Sequence, residues 1–170
     1  MGTDETPGMH PMDDSVFESI HRETARSIWA YIYRLTGDGA AADDILQETY
    51  LRLLRSPPKE NSLREVRPYL FKIATNLARD RFRGLKRWKG SNEVLMTNES
   101  HEAAFYGDTE MMHYFSQLKQ RERSLLWLAY VEGYDHNEIG RILKLRPGAV
   151  RVLLFRARRK LAVLLGEDKK

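Results

Sequence analysis

The stretch Asp135–Leu161, DHNEIGRILKLRPGAVRVLLFRARRKL, decides the fold of the chain, because it predicts two short helices separated by a sharp turn. Asp135 and Glu138 have the spacing of a capping box, in which two side chains accept free N–H groups at the start of a helix. A helix is therefore expected immediately after Asp135. Pro147 cannot continue that helix but is well suited to the first position of another, which is expected to run towards Leu165.

The second of these helices is predicted to have an apolar face and a basic face. Its inward positions, at steps of three and four, are Val150, Leu154, Ala157, Leu161 and Leu164. Its outward positions are Arg151, Phe155, Arg156, Arg158 and Arg159. In the first helix, Gly140 is expected to let the second helix approach closely. Such a pair is typical of the helix-turn-helix, which lays its second helix in the major groove of DNA. A basic helix on the surface of a small bundle remains an alternative.

Composition restricts the class of protein. The chain has 170 residues, 31% charged and 42% hydrophobic, which suits one soluble domain or two small ones. The absence of cysteine excludes disulfides and thiolate metal sites. There is no apolar run of membrane-spanning length, no signal-peptide core, no metal-ligand spacing among the histidines and no catalytic motif. We therefore expect a cytoplasmic protein without membrane insertion, enzymatic activity or cofactor, preceded by a disordered leader at residues 1–14.

Charge is distributed along the chain in four alternating blocks. The net charge is −5 for residues 1–60, +7 for 61–90, −5 for 91–115 and +7 for 116–170, which gives the overall +4. Two separate basic blocks indicate two surfaces for a polyanion such as DNA. The acidic blocks indicate at least one surface with a different kind of partner.

Two helices are predicted before Pro57. The first begins at a second capping-box match, Ser15 with Glu18, and ends at the turn Gly37–Gly39. The inward positions of the second are Ile45, Leu46, Tyr50, Leu53 and Leu54. A neighbouring stripe of that second helix carries Asp43, Asp44, Gln47, Glu48 and Leu51. The helix dipole favours acids near a helix start, so capping is an alternative role for this stripe.

A long third helix is predicted from about Arg64 to Trp88, with Leu70, Ile73 and Leu77 facing inward. The opposite face carries four cations, one amide and one carboxylate, namely Lys72, Asn76, Arg79, Asp80, Arg83 and Arg87. Asn76 and Asp80 are placed for hydrogen bonds to bases. A salt bridge between Asp80 and a flanking arginine is the alternative.

A flexible acidic linker is predicted at residues 90–108, which contain no lysine or arginine and show weak periodicity. The 17 residues from Asn92 to Asp108, fully extended, span roughly 56 Å, or about 16 base pairs of duplex. Residues 109–166 are predicted to form a four-helix unit that includes a helix at Ser124–Glu132 and ends with the helix-turn-helix. The predicted fold class is therefore all-α, with two small helical domains joined by the linker.

Over about Phe17–Leu165 the chain resembles the extracytoplasmic-function sigma factors, the smallest group of the bacterial sigma-70 family. The resemblance rests on three motifs in order, YRLTGDGAAADDILQETYLRLLR, YLFKIATNLARDRFR and LKQRERSLLWLAYVEGYDHNEIGRILKLRPGAVRVLLFRARRKL. It implies sigma region 2 at residues 15–89, the linker at 90–108 and sigma region 4 at 109–166. Ala149, Val152 and Leu153 depart from the family, which usually has hydroxyl, polar or basic residues there.

The resemblance also implies a role for each surface. The residues expected to bind core RNA polymerase are Asp43, Asp44, Gln47, Glu48 and Leu51. Those expected at the minus-10 promoter element, where a base is flipped out of the duplex, are Lys59, Asn61, Ser62, Lys72, Asn76, Arg79, Asp80 and Arg83. Those expected at the minus-35 element are Arg146, Arg151, Phe155, Arg156 and Arg158.

Together these features predict an alternative sigma factor that carries core RNA polymerase to promoter DNA, helps to open it, and is controlled by an anti-sigma factor. Two alternatives remain open. A helix-turn-helix repressor or activator that acts without polymerase would bind specific duplex DNA by itself. A helical interaction protein, suggested by the apolar run Val152–Phe155, would have a protein partner as its only ligand.

Overall fold

The computed structural model describes residues 12–89 and 109–166, and every regular element within those ranges is an α-helix. In chain order the helices are α1 (Asp14–Thr36), α2 (Gly39–Arg55), α3 (Leu63–Lys89), α4 (Thr109–Ser116), α5 (Gln120–Tyr130), α6 (His136–Leu143) and α7 (Pro147–Leu164). The predicted all-α class is confirmed. The predicted linker and residues 1–11 of the predicted leader lie outside the described residues.

The first unit, formed by α1, α2 and α3, is held by an apolar core that contains paired hydroxyl groups. Ile28, Leu53 and Leu70 are fully buried in it. The Thr24 and Tyr50 hydroxyls lie 2.6 Å apart, and those of Tyr31 and Thr75 lie 2.7 Å apart. Burial raises the pKa of Tyr31 to about 12, so this phenol remains a neutral hydrogen-bonding group at ordinary pH.

The start of the first unit differs from the prediction. Asp13, and not Ser15, caps α1, because the Asp13 carboxylate accepts the backbone N–H of Ser15 at 2.9 Å. Met12 is buried in the core with 6% exposure. The last residues of the predicted leader therefore belong to the fold, since an apolar side chain is buried there and the carboxylate beside it closes a helix end.

The second unit, formed by α4 to α7, contains the predicted helix-turn-helix. The capping box of α6 is confirmed, with Glu138 N–H donating to Asp135 and Asp135 N–H donating to Glu138, both at 2.8 Å. The start of α7 at Pro147 is also confirmed. Its predicted inward face packs as expected, with Val150, Leu154 and Ala157 buried and Leu161 and Leu164 partly buried against the core.

The structural reason for a glycine at position 140 differs from the prediction. A Cβ atom on Gly140 would lie 2.6 Å from the carbonyl oxygen of Leu145 and 3.8 Å from the nitrogen of Pro147, so the glycine makes room mainly for the turn's own backbone and less for the start of the second helix. Lys144 adopts the left-handed conformation at φ 56°, and the N–H of Leu145 donates to the Gly140 carbonyl at 2.8 Å.

Helix α5 begins at Gln120, four residues before the predicted start at Ser124. Glu122 accepts the backbone N–H of Lys119 at 2.7 Å, and this bond closes the helix start without a capping side chain on Lys119. The earlier start brings Arg123 into the helix, where the side chain is buried. The first and second units share one continuous core, in which the ring centroids of Phe71 and Tyr134 lie 5.9 Å apart.

Candidate polymerase and nucleic-acid interfaces

The acidic stripe predicted to bind polymerase lies on an accessible face of α2. Asp43, Asp44, Gln47 and Leu51 are exposed and Glu48 is half-buried. Capping does not explain these acids, because Asp38 caps α2 by accepting the N–H groups of Ala40 and Ala41. The stripe is therefore available to a partner.

Two carboxylates of the stripe are nevertheless oriented by other side chains. Trp29 Nε1 donates to Asp43 at 2.7 Å, and Arg52 Nε donates to Glu48 at 2.8 Å. The Arg52 hydrogen bond holds the pKa of Glu48 below its ordinary value. Asp44 lies 3.9 Å from the guanidinium of Arg81, on α3. Asp43 and Glu48 thus have defined positions on the surface, whereas Asp44 is more loosely held.

An apolar groove of about 700 Å³ lies beside the stripe, between α1 and α2. The His21 and Tyr50 rings are 4.7 Å apart in its wall, and Phe17 meets Tyr50 edge-on at 5.9 Å. Leu54, predicted to face inward, is 40% exposed and lines this groove. The groove has no sequence signal, because its wall comes from two helices and the pattern of one helix does not specify its rotation relative to another.

The residues predicted for the minus-10 element occupy α3 and the loop before it. Lys59, Asn61, Ser62, Asp80 and Arg83 are exposed, and Lys72, Asn76 and Arg79 are partly buried. Within the described parts of the chain, Asp80 forms no ion pair, so the alternative of a salt bridge to a flanking arginine does not hold there.

The loop between α2 and α3 is anchored at its start, where Tyr69 donates its hydroxyl to the carbonyl of Ser56 at 2.7 Å. A cavity of about 240 Å³ separates the end of the loop from α1. Its lining combines amide, hydroxyl, carboxylate and apolar groups from Ser15, Val16, Ser19, Ile20, Glu23, Asn61 and Leu63. A planar polar group of modest size would find both apolar walls and hydrogen-bonding partners in such a cavity.

The residues predicted for the minus-35 element lie on the accessible face of α7. Arg146, Arg151, Arg156 and Arg158 are all exposed, and Phe155 is 58% exposed. Arg158 differs from the others because its guanidinium lies over the Tyr130 ring, 5.8 Å from the centroid. Phe155, Arg158 and Tyr130 also line a groove of about 330 Å³ between α5 and α7. Cations and exposed apolar groups are therefore interleaved on one face.

The comparisons with known proteins agree with this geometry. Two family descriptions match, "Sigma-70 region 2" at residues 20–88 and "Sigma-70, region 4" at residues 109–161. RNA polymerase sigma factor CarQ of Myxococcus xanthus is 31% identical over 156 residues, which cover 89% of this chain and 90% of that protein. ECF RNA polymerase sigma factor SigL of Mycobacterium tuberculosis is 29% identical over 169 residues, 94% of each chain.

Solved structures share the fold. The sigma factor RpoE of Bartonella quintana, in complex with the anti-sigma factor NepR, is similar with a TM-score of 0.72 and 18% identity, covering 90% of this chain and 98% of that one. CnrH, in complex with the cytosolic domain of CnrY, gives a TM-score of 0.68 at 19% identity, covering 92% of each. Within the described residues, no helix has the length and apolarity to cross a membrane. The sequence matches establish that the chain belongs to the extracytoplasmic-function sigma factors of the sigma-70 family.

Proposed function

We propose that this sigma factor directs core RNA polymerase to a specific set of promoters in the cytoplasm through three separate surfaces. The observation that carries the proposal is the separation of charge among accessible faces. The acidic face on α2 adjoins an apolar groove, whereas the faces of α3 and α7 are basic and carry hydrogen-bonding groups. The two basic faces suit DNA, and the acidic face suits a basic protein partner.

Core polymerase is the proposed partner of the acidic stripe. A basic helical segment of the polymerase would form ion pairs with Asp44 and Glu48. Its apolar side chains would bind in the groove beside Leu51. Such complementary charge around an apolar contact gives both a fast encounter and a defined register. Because Asp43 and Glu48 are already oriented, these two side chains lose little freedom on binding.

The proposed minus-10 surface joins α3 to the loop that precedes it. Taking a base out of the duplex costs a few kcal/mol of stacking and pairing, which the protein must return through contacts to the extracted base. Asn76 and Asp80 supply directional hydrogen-bonding groups among the cations of α3, and Asn61 lies at the cavity beside the loop. The cations hold the backbone, and the amides and the carboxylate read the base.

The proposed minus-35 surface is α7, with Arg151 and Arg156 as the main contacts. Arginine reads guanine edges or binds phosphate through its planar fork. Val152 is 48% exposed on the same helix and has no polar group to offer. Fewer base contacts are therefore available on α7 than on a helix that is polar at that position.

An anti-sigma factor is the proposed regulator. RpoE, which shares the fold, was solved in complex with the anti-sigma factor NepR, and CnrH was solved in complex with the cytosolic domain of CnrY. In this chain, the exposed apolar side chains Tyr130, Val152 and Phe155 supply a surface that a partner can cover. A partner that co-purifies from the source organism is expected to inhibit transcription, and one that leaves transcription unchanged would contradict this role.

Transcription in vitro from a genomic fragment library of the source organism tests the proposed function. Core RNA polymerase alone is compared with core polymerase plus the protein. New transcripts from a discrete set of starts are expected, and they supply the promoter motif directly. No new transcripts, together with specific shifts of duplex DNA by the protein alone, would favour the polymerase-independent regulator.

A further inference from the structure

The turn between α6 and α7 contains a lysine in a backbone conformation that lysine rarely adopts. Lys144 has φ 56° and ψ 47°, and it is the only non-glycine residue with a positive φ among residues 12–89 and 109–166. The Cβ atom of an L-amino acid disfavours this left-handed conformation, so glycine, or sometimes asparagine, is the usual residue where a helix ends in this way. A lysine at position 144 therefore lowers the stability of the turn.

The left-handed conformation is imposed by the turn and not by the lysine side chain. The backbone N–H groups of Lys144 and Leu145 both donate to the carbonyl of Gly140, the second at 2.8 Å. The Leu145 side chain packs against the core, which fixes the chain on the far side of the turn. Such a conformation persists where the surrounding structure over-determines it. Any residue at position 144 would adopt it, so the turn itself gives no reason for lysine.

The ammonium group of Lys144 has no partner in the described part of the chain. Lys144 is exposed and takes part in none of the ion pairs found there. Lys160 is different, because its ammonium group lies 2.9 Å from Glu122 and joins α7 to α5. The unfavourable backbone at position 144 is therefore not offset by such a contact inside the protein. Its charge is accessible to a ligand from outside.

Two arginines extend the positive charge of the turn. Arg141 lies in the last turn of α6 and Arg146 directly precedes α7, and both are exposed and form no ion pair within the described residues. Arg146 also opposes local stability, since the dipole of α7 disfavours a cation at its start and no acid stands in its first turn. Positions at which a sequence departs from local stability are expected at functional sites. This turn thus has the charge that a polyanion requires.

We propose that Lys144, together with Arg141, binds phosphate groups of DNA at the edge of the groove that α7 enters. The inference rests on the proposed minus-35 surface, because the first helix of a helix-turn-helix crosses the DNA backbone and the second lies in the groove. The turn that joins them therefore lies where the chain passes from backbone to groove. Phosphate contacts are independent of base identity and fix the register of the second helix. They add affinity on a helix whose exposed Val152 offers no polar group to a base.

The first experiment tests whether Lys144→Gly changes stability and DNA binding in opposite directions. Glycine removes the unfavourable Cβ atom, so the thermal unfolding midpoint of the full-length protein should rise by about 2–4 °C. Fluorescence anisotropy on a labelled mixed-sequence duplex of about 30 base pairs should show affinity about five- to tenfold lower at about 0.1 M salt. The slope of log affinity against log salt should become less negative by about 1.

Three control variants separate the charge of Lys144 from the geometry of the turn. Lys144→Arg conserves the charge and is expected to keep the salt slope. Arg121→Ala removes an exposed arginine of α5, in the same unit, and is also expected to keep it. Arg141→Ala should reduce the slope by about 1 on its own and by about 2 in combination with Lys144→Gly, because each cation contacts a separate phosphate.

Three results would overturn the phosphate contact. The first is a salt slope that Lys144→Gly leaves unchanged, which would make Lys144 a solvated side chain. The second is an equal loss of affinity in Lys144→Gly and Lys144→Arg. The third is weaker binding by Lys144→Gly together with a lower unfolding midpoint, which would assign the loss to a disturbed turn. A slope that Arg141→Ala leaves unchanged would remove Arg141 from the contact.

The second experiment separates phosphate binding from base reading in the complete polymerase complex. On promoters recovered from the genomic fragment library, Lys144→Gly should lower transcription by a similar factor at each promoter and keep their ranking. Arg151→Ala should change the ranking, because its loss removes a base contact. A ranking that Lys144→Gly changes would overturn the phosphate assignment. Failure of the unsubstituted protein to give transcripts would instead contradict the proposed function, and the salt dependence of duplex binding would still test the contact.

Discussion

In the first unit the acidic side chains of α2 are oriented by other side chains, whereas in the second unit the arginines of α7 are positioned by backbone geometry. Asp43 is held by Trp29, and Glu48 is held by Arg52. On α7, in contrast, Arg151 and Arg156 are exposed, and their placement depends on the turn that follows α6. The two units therefore respond to different kinds of substitution.

The difference follows from what each surface is proposed to bind. A protein partner offers fixed charges at fixed positions, so orienting the carboxylates beforehand reduces the entropy lost on binding. A DNA groove requires a helix at a set depth and angle, after which long side chains adjust to bases and phosphates. In the second unit the fold therefore fixes the position of helix α7, whereas in the first unit it fixes the positions of individual side chains.

The largest effect is expected from removing the freely exposed arginines of the second unit. Arg151→Ala with Arg156→Ala should lower promoter-specific transcription about 100-fold or more, because each lost base or phosphate contact costs about 1–3 kcal/mol. Core polymerase binding should be unchanged. Arg121→Ala is the control, and transcription that survives the double substitution would contradict the minus-35 assignment.

Charge reversal on the acidic stripe is expected to have the next largest effect. Asp44→Lys with Glu48→Lys should weaken core polymerase binding about 10- to 100-fold in a pull-down titration, because attraction becomes repulsion at two positions. The deficit should shrink at high salt, where exposed charges are screened. Asp14→Lys, an exposed acid on α1, is the control, and equal binding by all three proteins would remove the stripe from the interface.

A smaller effect, on stability, separates the roles of two glycines in the helix-turn-helix. Gly140→Ala should lower the free energy of unfolding by about 1–3 kcal/mol, because its Cβ would lie 2.6 Å from the Leu145 carbonyl oxygen. Gly148→Ala, which has no neighbour within 4 Å, should be neutral or slightly stabilising. Urea denaturation measures both, and equal values would show that the turn tolerates a shift of its backbone.

The positions of α6 and α7 were predictable because their signals are local. A capping box and a proline act within a few residues, and the structure confirms both. The start of α5 was predicted wrongly, because Lys119 carries no capping side chain and the closing bond comes from Glu122. The left-handed Lys144 was also missed, since lysine gives no sequence signal for that conformation.

The contact between units had no sequence signal at all. Arg123 stands among charged residues in the stretch KQRER and resembles a solvated side chain, yet it is buried against carbonyls of α1. The acceptors are backbone carbonyls, and the pattern of side chains in the sequence does not show which carbonyls will lie beside Arg123. The groove beside the acidic stripe was missed for a related reason, because periodicity gives the face of one helix and not its rotation against another.

The smallest effect is expected from two tryptophans that each donate to a carboxylate, one in each unit. Trp29→Phe removes the hydrogen bond to Asp43 but keeps an aromatic ring beside Tyr33, which lies 5.2 Å away in a stacked arrangement. Stability should fall by about 1 kcal/mol, the usual contribution of one hydrogen bond. Core polymerase affinity should fall about threefold, because Asp43 loses its fixed position.

Trp127→Phe is the matched substitution in the second unit, where the lost bond is to Glu132 at the contact between units. It should leave core polymerase affinity unchanged, because the lost hydrogen bond lies away from the acidic stripe. Titrations against core polymerase therefore show a loss of affinity for Trp29→Phe alone if the first unit orients its side chains for binding. An equal loss in the two variants would mean that neither hydrogen bond orients a binding group.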